Sequence, residues 1–166
     1  MSEDSLIDAG SASRIGTVAA SATGELNSRD WQRWAAAVGD HNPLYFDPDY
    51  ARANGYRDII CPPLFLQYAI LGVSALESLR PDGSSGAVSG SLAFPRAPKR
   101  MAGGESFTFH LPAYHRDEID MVRTISSIVE KRGRSGPFVL VTWHTVYRNQ
   151  HRDLLAEAST SMIARP

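Results

Sequence analysis

The stretch from Pro62 to Leu79 constrains the fold more than any other part of the sequence, because apolar side chains occur on nearly every side of the helix that it would form. The two prolines that open it suit a helix start, where a missing N–H leaves no hydrogen bond unmade. Gln67, Ser74 and Glu77 interrupt the run, and its 18 residues are the short limit for crossing about 30 Å of hydrocarbon. The stretch therefore predicts a buried central helix, around which the rest of the chain is wrapped.

Two shorter helices are predicted before this stretch, after a first strand over residues 16–26. The first has a capping residue in Asn27, apolar residues at helical spacing over 31–38, and a stop at Gly39. The second runs from Asp47 to Gly55, with proline in its first turn and glycine at its end. Both helices are short, so the central helix remains the main apolar element.

The pattern changes to a period of two after a flexible turn predicted at residues 81–86, which is typical of strands. A break in the alternation at residues 122–128 indicates a β-bulge, and the segments 132–136 and 149–153 suit hairpin loops. Helices followed by a run of antiparallel strands predict an α+β fold, in which one curved sheet is wrapped around a single long buried helix.

Composition excludes several classes of function. The 166 residues suffice for one domain with a full core, and residues 1–14 are predicted to be a disordered tail before a domain at 15–166. A net charge of −1 excludes a general nucleic-acid binder, and the single cysteine excludes a disulfide framework and any multi-cysteine metal site. The N-terminus lacks the basic and apolar regions of a signal peptide, so we expect a cytoplasmic protein without a membrane segment.

Positive charge is concentrated in residues 96–134, which hold eight basic and five acidic side chains, whereas residues 1–95 have a net charge of −5. The block has two interpretations. It is a solvated face that serves solubility, or it is a surface that binds a phosphorylated carrier such as coenzyme A or an acyl carrier protein. On the second interpretation the candidate contacts are Arg96, Lys99, Arg100 and Arg132.

Common catalytic and metal-binding signatures are missing from the sequence. There is no nucleophile elbow, dinucleotide fingerprint or Walker loop. The five histidines form no i,i+4 metal pair with a carboxylate, so no metal is expected. Cys61 lies before two prolines at the edge of the apolar stretch, and we interpret it as a buried, inert thiol.

The densest group of chemically active side chains lies in the run Gly39-Asp-His-Asn-Pro-Leu-Tyr-Phe-Asp-Pro48. One interpretation is purely structural, since Asp40 and Asn42 can form side-chain to backbone bonds in a turn. The run also resembles the motif Gly-Asp-x-Asn-Pro-x-His of the MaoC-like (R)-specific hydratase/dehydratase family. In that family a short helix ending in glycine follows the motif, as the helix ending at Gly55 does here.

The resemblance covers roughly residues 15–165. His115-Arg-Asp-Glu-Ile-Asp resembles a strand start of the family, and residues 131–138 and 147–150 resemble a hairpin and strand of its N-terminal, FAS1-like dehydratase branch. It implies a single hot dog domain that acts on an acyl thioester of coenzyme A or carrier protein, without a cofactor. An Asp/His pair would add or remove water by general acid–base catalysis, and a backbone N–H at the start of the central helix would hold the thioester carbonyl. Asp40 takes the catalytic position and Asn42 a substrate-binding one.

Two positions depart from the family's pattern. Tyr45 stands where the motif has histidine, and a phenol with a pKa of about 10 is a poor base at pH 7. The helix start reads Cys-Pro-Pro-Leu, so neither Pro62 nor Pro63 offers an N–H, and that of Leu64 is the nearest substitute. His41 is a candidate replacement for the imidazole, although adjacent residues point in different directions.

These departures favour a degenerate site in the substrate-accommodating subunit of a hydratase or dehydratase, whose partner, a separate chain, supplies the Asp/His pair. Two alternatives stay open. One is a self-sufficient homodimeric hydratase that uses Asp40 with Tyr45 or His41, and the other is a non-catalytic protein that binds acyl thioesters or acts as a scaffold. In each case we expect a dimer, homomeric or heteromeric, because the sheet of a hot dog domain leaves long edges that tend to pair.

Overall fold

The computed structural model describes residues 5–70, 76–79 and 92–166. Within these ranges five strands form one antiparallel sheet in the order β1-β3-β4-β5-β2, which confirms the α+β class. The strands are β1 Val18–Glu25, β2 Lys99–Phe109, β3 Glu118–Gly133, β4 Gly136–Arg148 and β5 Leu154–Arg165. The helices are α1 Ala9–Ala12, α2 Ser28–Val38, α3 Pro48–Ala53 and α4 Leu66–Ala69, with 3₁₀ turns at Pro43–Tyr45, Pro63–Phe65 and Leu76–Ser78.

The strand connections follow the signals in the sequence. A tight turn joins β3 to β4, and Gly136 adopts the positive φ of 108° that it requires. The pairing of β3 with β4 shifts register between Ile125 and Ser127, which confirms the predicted bulge. The second loop, between β4 and β5, is held by Asn149, whose side chain accepts hydrogen bonds from the backbone N–H groups of His151 and Asp153.

Helix α2 begins and ends where the sequence predicts. The Asn27 side chain accepts a hydrogen bond from the backbone N–H of Arg29, and Gly39 ends the helix in the left-handed conformation at φ 75°. Trp31 and Ala35, four residues apart on one face, are fully buried against the sheet. Helix α2 therefore covers the core and leads directly into the loop with the candidate motif.

The described part of the apolar stretch at 62–79 differs from the expected long helix. It contains a 3₁₀ turn, the short helix α4 and a second 3₁₀ turn, while residues 71–75 and the expected turn at 81–86 lie outside the described residues. Phe65 and Leu66 are buried, but Leu64, Tyr68 and Leu76 are 46%, 45% and 83% exposed. The prediction of burial on all sides is wrong for these residues, because the sheet covers one face of the stretch and leaves the other open.

The N-terminal segment also differs from the expected tail over its described part, residues 5–14. Asp8 caps α1, and Leu6 is buried in a cluster with residues of β3, β4 and β5. The Glu130 carboxylate accepts a hydrogen bond from the backbone N–H of Leu6 at 2.9 Å. Composition gave no sign of this packing, because it depends on contacts with residues far away in the sequence.

No helix within residues 5–70, 76–79 and 92–166 is long and apolar enough to cross a bilayer.

Candidate functional site

The loop between α2 and α3 is held by hydrogen bonds between its side chains and its own backbone. The backbone N–H of Asp40 donates to the carbonyl of Ala35 at 2.8 Å, which continues the end of α2. The Asp40 carboxylate accepts from the backbone N–H of Asn42 at 3.2 Å. The Asn42 side chain accepts from the N–H of Leu44 at 3.1 Å and so caps the 3₁₀ turn. The turn bonds that a structural interpretation requires are therefore present, and they fix the Asp40 carboxylate in place.

Tyr45, which stands at the histidine position of the motif, is buried. Its carbonyl accepts hydrogen bonds from Trp31 Nε1 at 3.3 Å and Gln32 Nε2 at 3.1 Å, so α2 holds the loop directly. Burial raises the pKa of the Tyr45 phenol above its usual value, and the nearby negative charge of Asp40 raises it further. The phenol therefore stays protonated at neutral pH and does not accept a proton as a general base.

Cys61 and the two prolines that follow it lie next to this loop. The backbone N–H of Ile60 donates to the carbonyl of Leu44 at 3.0 Å, and that of Cys61 donates to the carbonyl of Ala113 at 2.8 Å. The Cys61 thiol is buried and donates to the Pro62 carbonyl at 3.3 Å. Burial raises the pKa of this thiol, so the group is the inert thiol that the sequence predicts rather than a nucleophile.

A cavity of about 200 Å³ opens beside Cys61, and its walls are mainly apolar. One wall comes from Ile60, Cys61, Pro63 and Leu66, and another from Phe109 at the end of β2 and the segment 110–113 that follows it. Pro63 starts the 3₁₀ turn here, and like Pro62 it offers no N–H toward the cavity. The cavity suits an apolar group, while its wall lacks the first two helix-start donors.

The other sequence candidates near the loop have different surroundings. His41 is exposed, whereas Asp40 is half-buried. Leu64, which follows the two prolines, has a side chain that is 46% exposed. The structure thus brings Asp40, Tyr45 and Cys61 together and leaves the side chain of His41 in solvent.

The basic candidates lie at the far end of β2. Arg96 donates to the backbone carbonyl of Ser5 at 3.0 Å, and Arg100 donates to the carbonyl of Leu92. Lys99 is the first residue of β2, and Phe109, its last, lines the cavity beside Cys61. A bulge between Ala102 and Glu105 adds one residue to β2, so its partner β5 covers the same span in nine steps, from Arg165 to Ala156. At about 3.3 Å per step the two ends are about 30 Å apart. One subunit therefore does not place its basic block near its own Asp40 loop.

Asp117 is a buried carboxylate that sequence reasoning did not single out. It accepts from the backbone N–H of Tyr114 at 2.8 Å, and from Arg57 and Gln150 side chains at 3.3 Å each. The Arg57 guanidinium also packs over the Tyr114 ring, 4.0 Å from its centroid. Because Tyr114 pairs with Ile60, this network fixes the segment that enters the cavity wall. Arg57 and Gln150 lie 60 and 33 positions from Asp117 in the sequence. The only sign of this network in the sequence was the charged run His115–Asp120.

Replacing Asp117 by alanine is expected to lower the free energy of unfolding by about 2–3 kcal/mol, since the half-buried N–H of Tyr114 and the side chains of Arg57 and Gln150 then lose their acceptor. Urea denaturation of the purified protein measures this loss. Asp120→Ala is the matched control, because its carboxylate bonds Thr23 on the exposed side of the sheet, and we expect a loss below about 1 kcal/mol. Equal losses in the two variants would contradict the role given to Asp117.

A second cluster missed by the sequence joins His110, His144 and Glu157 across β5 and its neighbours. Each imidazole Nε2 lies 3.0–3.1 Å from a different oxygen of Glu157. These hydrogen bonds, that to His110 foremost, lower the pKa of the Glu157 carboxyl. Among the described residues no group of three or more His, Cys, Asp and Glu is arranged to hold a metal ion.

Comparison with known proteins gives a family match over most of the chain. Residues 13–158 match the family model described as FAS1-like, dehydratase domain region. The chain is 33% identical over 134 residues to a UPF0336 protein of Parafrankia sp. (strain EAN1pec), covering 81% of this chain and 80% of that protein. It is 28% identical over 128 residues to a probable enoyl-CoA hydratase alpha subunit of Thermomonospora curvata, covering 75% of this chain and 40% of that protein.

A solved structure agrees with this match. A chain of the ChsH1–ChsH2 complex from Mycobacterium tuberculosis superposes with a TM-score of 0.71 at 19% identity, over 93% of this chain and 86% of that one. At this identity the likeness concerns the fold, and it confirms the hot dog fold that the motif implies.

Proposed function

Because the chain belongs to the family of FAS1-like dehydratase domains, we propose that it is the substrate-accommodating subunit of an (R)-specific enoyl-thioester hydratase, or of the reverse 3-hydroxyacyl-thioester dehydratase. Its partner is a MaoC-like hydratase subunit with an intact Asp/His pair. The substrate is an acyl thioester of coenzyme A or carrier protein, the reaction needs no cofactor, and it takes place in the cytoplasm.

The observation that carries the proposal is the buried phenol of Tyr45 at the position of the catalytic imidazole. Hydration of an enoyl thioester needs one group that takes a proton from water and one that delivers a proton to the substrate. Asp40 supplies a carboxylate, but the neighbouring phenol, with its raised pKa, neither accepts a proton nor releases one readily near pH 7. Half of the acid–base pair is therefore missing from the Asp40–Tyr45 loop.

The start of the apolar stretch supports the same conclusion. In the family a backbone N–H at this point binds the thioester oxygen, where negative charge develops during the reaction. Pro62 and Pro63 occupy the corresponding positions and have no N–H. The mainly apolar cavity beside Cys61 remains, however, so the chain keeps the pocket of the fold without an N–H donor from either proline.

The similar proteins support a heteromeric assembly. One relative bears the name alpha subunit of a hydratase, and the structural neighbour is part of a complex of two named components. The free outer edge of β2 offers a surface for such a partner. This strand has 11 residues, nearly all of them exposed, and its outer edge pairs with no other described strand. Unprotected edges of this length tend to pair with another strand.

A self-sufficient homodimeric hydratase is the second candidate. The closeness of Asp40 to Tyr45 favours it, because a carboxylate and a phenol beside each other form a weak acid–base pair. The two candidates differ in the activity of the purified chain: the first requires a partner, and the second does not.

Hydration of crotonyl-CoA by the purified chain, alone and after co-purification with its native partners, tests the proposal. We expect no hydration by the chain alone and hydration by the complex.

We also expect a dimer, homomeric or heteromeric, in which the sheets are continuous. Light scattering at micromolar concentration measures its mass. A monodisperse monomer near 18.2 kDa that gains no partner, or rapid hydration by the chain alone, would contradict the proposal.

A further inference from the structure

One end of the sheet carries a strong positive charge. The starts of β2 and β4 and the ends of β3 and β5 lie side by side there, and the turn at 134–135 joins β3 to β4. These strand ends and the turn hold six basic side chains and one acidic side chain, Glu130, which already accepts hydrogen bonds from Ser5 and Leu6. We call the six the basic end: Lys99, Arg100, Lys131, Arg132, Arg134 and Arg165.

The basic end is also concave. A cavity of about 420 Å³ opens here, lined by Lys99, Ser135, Pro137, Arg165 and Pro166. The Arg165 guanidinium packs near the Phe138 ring, and its buried Nε has no hydrogen-bond partner among the described residues. Cavities of about 300–1,000 Å³ are typical of small-molecule sites. The shape therefore favours a compact polyanion over the surface of a second protein.

The basic end lies too far from the Asp40 loop of the same subunit to serve it. The two ends of β2 are about 30 Å apart. The phosphopantetheine arm of coenzyme A has about the reach of six extended residues, roughly 20 Å. A thioester with its phosphates at Lys99 therefore does not place its acyl group beside Cys61 of the same chain.

Pairing across the free edge of β2 removes this mismatch. Two subunits that pair through the same edge about a two-fold or pseudo-two-fold axis place their β2 strands antiparallel. The basic end of one subunit then lies beside the opposite end of its partner's strand. In this chain that opposite end, at Phe109, forms the wall of the acyl-sized cavity. The phosphates bound by one subunit are thus within reach of the site of the other.

We propose that the cavity at the basic end binds the phosphorylated nucleotide of a coenzyme A thioester whose acyl group reacts in the site of the partner subunit. The inference rests on the proposed function, and it gives this chain a defined role in the complex. The chain holds the carrier, and the partner performs the acid–base chemistry.

Titration calorimetry with free coenzyme A tests the nucleotide site without any catalysis. We expect Lys99→Glu combined with Arg165→Glu to weaken binding at low salt by about tenfold or more, and the difference from wild type to shrink at high salt. Arg29→Glu is the matched control, because Arg29 is exposed in the first turn of α2, far from the basic end. The uncharged pair Lys99→Gln and Arg165→Gln keeps the test valid if the reversed charges impair folding. Unchanged affinity in both double variants would overturn the proposal.

The same variants separate the possible carriers. Tighter binding of an acyl carrier protein than of coenzyme A, lost in the double variant while binding of coenzyme A stays intact, would overturn the nucleotide assignment. In the reconstituted complex we expect the double variant to raise KM for crotonyl-CoA with little change in kcat. If the complex shows no hydration but binding of coenzyme A is still lost in the variants, the proposed function fails and the nucleotide site stands.

Discussion

Tyr45→His combined with Pro63→Gly is expected to give the purified chain a hydration rate about 10²–10³-fold above that of Tyr45→His alone. The first change places an imidazole beside the Asp40 carboxylate, which already lies close enough to the phenol to raise its pKa. The second restores an N–H where the 3₁₀ turn begins, next to the apolar cavity. A single missing donor to the developing oxyanion accounts for the difference between the two variants. Initial rates with crotonyl-CoA measure it.

Tyr45→Phe combined with Pro63→Gly is the control, because it restores the N–H without an imidazole, and we expect it to remain inactive. Thermal unfolding establishes that all variants are folded. Equal rates for Tyr45→His with and without the Pro63 change would show that the helix start is not the missing donor.

Trp31→Ala is expected to lower the free energy of unfolding by about 3–5 kcal/mol, the range for removing a large aromatic side chain from a core. Trp31 is fully buried between α2 and the sheet, and its Nε1 donates to the carbonyl of Tyr45. The substitution therefore leaves a cavity and also loosens the candidate loop. Urea denaturation measures the loss.

Trp31→Phe separates the two effects. It keeps most of the apolar volume and removes the hydrogen bond, while Gln32 still donates to the same carbonyl. We expect less than half of the loss seen with alanine. A loss below about 1 kcal/mol for Trp31→Ala would contradict the position of this residue at the centre of the core.

Local signals predicted the elements that are stabilised locally. Helix α2 lies between Asn27 and Gly39 because a capping side chain and a left-handed glycine act within one turn of the chain. The bulge at Ile125–Ser127 was visible as a break in the alternation of apolar residues. These features depend on neighbours in sequence, so sequence alone suffices to find them.

Features that depend on distant contacts were missed or misjudged. The contact between Leu6 and Glu130 joins residues 124 positions apart, and composition suggested only a tail. The exposed face at Leu64 and Tyr68 was invisible, because hydrophobicity does not reveal how much of a helix the sheet covers.

The features of the candidate site also fall into local ones, which the sequence predicts, and long-range ones, which it does not. The turn bonds of Asp40 and Asn42 follow from a motif of four residues. The approach of Cys61 to Tyr45, by contrast, depends on a backbone bond between Ile60 and Leu44. The sequence shows the basic block only as a charge pattern, and β2 carries Lys99 to the end of the sheet opposite the cavity that Phe109 lines. Spacing along the chain says nothing about such separations.

The effect of Asp40→Asn on hydration by the reconstituted complex tests the central claim, that this chain binds substrate and its partner performs the chemistry. The Asn side chain retains an acceptor for the N–H of Asn42, so the loop keeps its turn bonds. We predict that kcat for crotonyl-CoA stays within about twofold of wild type. A loss of about 10²–10⁴-fold, the usual effect of removing a general acid or base, would show that Asp40 is catalytic and that the chain is itself the enzyme.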